Sequence, residues 1–166
     1  YRDMNAAVEM INQIEWTRKQ LEEFKKMLSA EKAEKVLFDS RDELEKQALA
    51  VEDRLIQRTL ADNDQKSFRG PLQLYMQLVW LDAEAGSGRA DVSGGADFAP
   101  TAAEMEVHSL LEQRLDGARA DFSALYDTTI PAFNESMRAK GLIQLVPVKE
   151  LQDEVPELKE IPDDEE

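Results

Sequence analysis

His108 is the only histidine in the chain, and Glu104 and Glu112 lie one helical turn to either side of it. On a helix, residues four apart share a face, so this trio is the beginning of a metal site. Di-iron carboxylate bundles, however, need Glu-x-x-His twice together with further glutamates. Here Glu104-x-x-x-His108 occurs once, without a second histidine. The preferred reading is a helix-surface histidine paired with glutamate, and neither a metal nor another cofactor is expected. No histidine is left to activate a serine nucleophile. The absence of cysteine excludes disulfides, thiolate metal sites and a cysteine nucleophile.

A second stretch invites a phosphate. Residues 85–108, "AGSGRADVSGGADFAPTAAEMEVH", hold Gly86, Gly88, Gly94 and Gly95, four of the seven glycines, just ahead of a patterned helix. A P-loop needs G-x-x-x-x-G-K-[ST], and the chain has no Gly-Lys pair followed by Ser or Thr. The dinucleotide fingerprint fails because Asp91 stands where its third glycine belongs. Both motifs also follow a strand, whereas the preceding residues have a helical pattern. Thr101 and Glu104 form a capping box that occupies the free N–H groups of the helix itself. The loop therefore reads as a connector between helices.

Carboxylates are abundant, as expected when 35 of 166 residues are Asp or Glu. Glycosidase chemistry needs two of them facing each other across a cleft. Runs such as Glu22–Glu23 belong instead to a solvated helix face. Trp16, Trp80, Tyr75 and Phe122 suit core packing in a bundle. An aromatic on a helix flank can also dock a neighbouring domain. Trp16, Trp80 and His108 are accordingly the candidates for an interaction surface, and no catalytic residue is assigned.

The elements that would position these residues are helical. Between Tyr1 and Arg69 there is neither Gly nor Pro. Met4, Ala7, Val8, Ile11, Ile14, Leu21, Phe24 and Leu28 recur at helical spacing, with Glu15–Lys19 and Glu22–Lys26 as i,i+4 pairs. Ser40 and Glu43 suggest a capping box for a second helix, with Leu44, Ala48, Val51, Leu55 and Ile56 as its buried stripe. After a loop at residues 62–70, Pro71 suits the first turn of a third helix, "PLQLYMQLVWLDAEA". Being apolar on most faces, that helix is expected to be the most central. A fourth runs from Thr101, with Val107, Leu111, Leu115, Ala118, Phe122 and Leu125 on one face. Pro131 should kink or interrupt it, and Gly141 should end it. Residues 149–166 carry nine acidic and two basic residues, about half of the net charge of −15. They read as a mobile acidic tail.

The expected architecture is all-α, an antiparallel bundle of about four helices over residues 1–148, followed by the tail at 149–166. The charge argues against nucleic acid and against an anionic membrane surface. No apolar run approaches a membrane span, so membrane insertion is not expected. A chain that opens at Tyr1 is expected to be a piece of a longer protein.

Three features resemble one family. They are Gly70-Pro71-Leu72 before a short apolar helix, "ADFAPTAAE" ending a small-residue loop, and the "L…D…IPAFN" pattern from Leu125 to Asn134. Together with "MNAAVEMINQIEWTRKQLEEF" near the start, they make residues 1–142 similar to the C-terminal helical region of bacterial sortilin-like proteins. These are large β-propeller proteins with Asp-box (BNR) repeats, often labelled glycosyl hydrolase-like. The chain departs from that pattern in its longer glycine loop, its acidic tail and its lack of S-x-D-x-G-x-T-W repeats. The resemblance implies an exported protein. It also implies a non-enzymatic accessory domain that packs on the propeller of its own chain or binds another protein. The competing expectations are a small-molecule or metal-binding bundle, or part of a glycosidase-like enzyme completed by another domain.

Overall fold

The computed structural model describes residues 1–30, 35–57, 72–85 and 99–147. It is an all-α bundle, and the described residues contain no strand. Helices α1 (Arg2–Ala30), α2 (Lys35–Leu55), α3 (Leu74–Ala85) and α4 (Ala102–Ala124) are followed by a π-helical turn (Leu125–Thr129) and α5 (Ile130–Ala139). The loop at 62–70, Pro71, the glycines of the 86–98 segment and the tail at 149–166 lie outside the described residues.

α1 is the spine. Ala7, Met10, Ile11, Ile14, Leu21, Phe24 and Leu28 are buried, at the three- and four-residue spacing that keeps one face against the core. α2 returns antiparallel to it, as Arg18 bonding to both Glu45 and Glu52 and Arg41 bonding to the Leu21 carbonyl show. Leu44, Ala48, Val51 and Leu55 are buried as the stripe predicts, with Ile56 partly so. Ser40 does not cap this helix. α2 begins upstream of it at Lys35, and the Ser40 hydroxyl donates back to the Val36 carbonyl at 2.9 Å. Lys26, paired with Glu22 in the sequence reading, reaches Glu23 instead at 2.7 Å.

α3 is not the central helix. It buries only Leu74 and Leu78, while Trp80 is 58% exposed. The contacts explain why. Arg54 at the end of α2 pairs with Asp121, and Gln77 in α3 bonds to Arg114. Further on, Leu81 and Ala85 share a cavity wall with Pro100 and Glu104. α3 thus continues in the direction of α2, meeting α4 progressively nearer its N-terminus. It covers the end of the bundle that α2 is too short to reach.

α4 opens with the predicted capping box. The Glu104 N–H donates to Thr101 Oγ1 at 3.2 Å, and the Thr101 N–H donates to Glu104 Oε2 at 2.6 Å. Pro131 lacks an N–H and crowds the carbonyl four residues back. One turn of π-helix absorbs this: the Ile130 N–H donates to the Leu125 carbonyl, five residues earlier. The α-helix is interrupted as expected, yet the rod continues. The wider turn also brings Leu125, Ile130, Phe133 and Met137 into the core with Leu111, Leu115 and Ala118.

Gly141 ends α5 at φ +70°. Its N–H donates to the Arg138 carbonyl at 3.0 Å, and the Leu142 N–H donates to that of Met137 at 2.9 Å. This is the Schellman pattern, in which the left-handed residue is most often glycine.

Candidate functional site

His108 stands near the N-terminus of α4, and neither flanking glutamate serves it. Glu104 is held by Thr101, and Glu112 pairs with Arg2 at 3.5 Å. The hydrogen bonds from Thr101 lower the Glu104 pKa below its ordinary value. The partner of His108 is Asp3 in α1, with Nε2 3.2 Å from Oδ2. The expected histidine–glutamate pair is thus a histidine–aspartate pair between helices. Asp3 is buried and also lies 3.5 Å from Arg2 and 3.7 Å from Arg119. Burial acts to raise the Asp3 pKa, but the His108 hydrogen bond and the Arg2 charge outweigh it and leave it lowered.

Asp3 and His108 line a cavity of about 280 Å³, whose apolar wall includes Met4, Leu78, Leu81 and Met105. Asp82 and Glu104 add carboxylates at its edge. Among the described residues, no group of three or more His, Asp or Glu is placed to hold a metal ion. Nor does a described helix have the length and apolarity to cross a membrane.

Trp80 stands elsewhere, on an open concavity between α3 and α4 that it shares with Val107, Leu110, Arg54 and Arg114. Val107 is 45% exposed and Leu110 55% exposed. The sequence pattern puts Val107 on the buried face, but the buried stripe of α4 begins only at Leu111. In the first turns of α4, His108 and Glu112 face α1, whereas Val107 and Leu110 face the concavity shared with α3. With Trp80 they form an exposed apolar patch.

Trp16 occupies a third place. At 36% exposed it lies at the surface, where its indole N–H donates to the Val146 carbonyl at 3.1 Å. Residues 142–147 form a non-helical strap packed against α1 and α5. Sequence reasoning missed Gln20 and Asn134, which hold this strap. Nothing in their surroundings marks them, since isolated amides on helix surfaces are ordinary. Trp16, Trp80 and His108 therefore belong to three separate places and do not form one site. Tyr75 and Phe122, expected in the core, are partly buried at its margin. No protein-family model, curated protein or solved structure matches the chain.

Proposed function

We propose that this chain is a non-enzymatic accessory domain that docks a protein through the α3–α4 face. The observation that carries this reading is the apolar cluster of Trp80, Val107 and Leu110, all substantially exposed on one concavity. Exposed apolar clusters of this kind mark interaction surfaces, and tryptophan is enriched among the residues that dominate binding. Arg54 and Arg114 at the margin supply the polar rim typical of such interfaces. The partner we propose is a β-propeller of the same polypeptide in an exported protein; this rests on the resemblance drawn from the sequence motifs of residues 1–142.

The test is co-expression of the chain with the region that precedes it in its reading frame. Trp80→Ala and Leu110→Asp together should abolish co-purification while leaving the helical circular dichroism unchanged. Retained association would sink the docking face, and the absence of propeller repeats upstream would remove the named partner.

A second reading rests on the cavity beside Asp3 and His108. Its apolar wall and carboxylates suit a small organic cation with a hydrophobic body. A thermal-shift screen of amines should then give stabilisation that Asp3→Asn removes; a blank screen would dismiss it.

A further inference from the structure

The strap at residues 142–147 is held to the helices through its main chain. Asn134 in α5 bonds the main chain of Leu145 twice: its Nδ2 donates to the Leu145 carbonyl at 2.9 Å, and the Leu145 N–H donates to its Oδ1 at 2.8 Å. Gln20 in α1 does the same to the next residue. Its Nε2 donates to the Val146 carbonyl at 2.9 Å, and the Val146 N–H donates to its Oε1 at 2.9 Å. The Trp16 indole adds a second donor to that carbonyl.

A carboxamide presents one donor side and one acceptor side, as a peptide unit does. Two of them, on different helices, read consecutive residues whose main-chain groups face opposite ways. Only one strap side chain enters the core fully: Leu145 is 3% exposed, whereas Ile143 is 68% exposed. Main-chain bonds that supply affinity, with a pocket that supplies specificity, are the physics of peptide recognition by an added strand. None of these contacts depends on the strap's being covalently joined to the bundle.

We propose that the groove between α1 and α5 is a peptide-binding site for an extended segment of a partner protein with leucine at the pocket position. The chain's own strap occupies it in cis and competes with that partner. The groove shares no residue with the α3–α4 face, so this inference stands apart from the docking reading above. A tethered competitor acts at an effective concentration of about millimolar, so a peptide in trans binds the native chain weakly. Binding strengthens in proportion to the fraction of molecules whose strap is released.

The test uses the full chain and a fluorescein-labelled hexapeptide, Leu-Ile-Gln-Leu-Val-Pro, which copies residues 142–147. Leu145→Ala removes the anchor without touching the groove. In this variant the Trp16 indole N–H resonance should move as its acceptor leaves, and peptide affinity should rise by roughly tenfold or more over the native chain. Adding Asn134→Ala should reverse that gain while the helical circular dichroism stays unchanged. The proposal is overturned if the indole resonance stays in place, if the released strap leaves the peptide unbound, or if Asn134→Ala has no effect. It is equally overturned if sedimentation shows native dimers that Leu145→Ala dissociates, because the groove's occupant would then be the strap of a second copy.

Discussion

Tyr126 shows how a single polar atom ties the bundle together. Its hydroxyl lies 2.8 Å from that of Thr17, which is itself buried in α1, and its ring stacks on Phe122 with centroids 4.3 Å apart. Burial pushes the Tyr126 pKa up to about 12, with the Thr17 hydrogen bond acting in the opposite direction. The sign of the pH effect follows. The folded chain holds this proton more tightly than the unfolded chain, whose tyrosine titrates near 10.0. The associated stability is fully present below pH 10.0 and is lost as the pH rises towards about 12. Tyr126→Phe should remove that part of the alkaline loss, and it should leave the Thr17 hydroxyl without its partner at a cost of about 1–2 kcal/mol at neutral pH. Urea unfolding of both proteins across this pH range checks both parts. An unaltered alkaline profile in the variant would refute the assignment.

At the scale of elements, two glycines make opposite predictions. Gly141 has φ +70°, a conformation costly for a residue with a Cβ, so Gly141→Ala should destabilise by about 1 kcal/mol. Gly117 sits inside α4, where glycine is the poorer helix former by about 1 kcal/mol relative to alanine. A Cβ there would lie 2.8 Å from Arg54 Nη2, the far end of a flexible, half-exposed side chain that can shift aside. Gly117→Ala should therefore be neutral or stabilising by up to about 1 kcal/mol. Thermal unfolding of the two variants should move in opposite directions, and a large loss at Gly117 would mean that Arg54 cannot move. These elements also show what the sequence discloses. Thr101, Glu104, Pro131 and Gly141 act through their own backbone neighbourhood, so their capping, interruption and termination were readable locally. Ser40 misled because a capping box resembles an ordinary Ser and Glu within a helix; only the start of α2 at Lys35 distinguishes them. Val107 misled because the apolar pattern of α4 does not disclose that His108 faces α1 and that the buried stripe starts only at Leu111. His108 was readable as a paired surface residue, but its partner Asp3 lies 105 positions away, beyond any helical spacing. The buried Arg41 and Glu52 escaped for the same reason, since their burial depends on α1.

For the whole molecule, the division of labour between α2 and α3 sets where the fold opens first. α1 and α2 share buried apolar faces and the Arg18–Glu52 ion pair at 2.7 Å, in which Glu52 is almost wholly enclosed. α4, the π turn and α5 share the same core. α3 contributes Leu74 and Leu78 fully, and one side of it borders the cavity beside Asp3. A helix of 12 residues is marginal by itself in water, so what α3 gains from packing decides its stability. With only Leu74 and Leu78 of its side chains fully buried, α3 should detach by a sub-global opening while the rest of the bundle stays folded. Native-state hydrogen exchange should show amides of α3 exchanging at a lower free energy than those of α1 around Ile14 and of α4 around Leu115. Leu78→Ala should accelerate exchange in α3 and leave the slowest amides of α1 nearly unchanged relative to their own global limit. Exchange of all these amides at one common free energy would show instead that α3 unfolds only with the bundle. The Trp80 face would then be a fixed surface. If α3 does open separately, docking on that face requires a partner that also orders the helix, and partner binding should slow exchange in α3 above all.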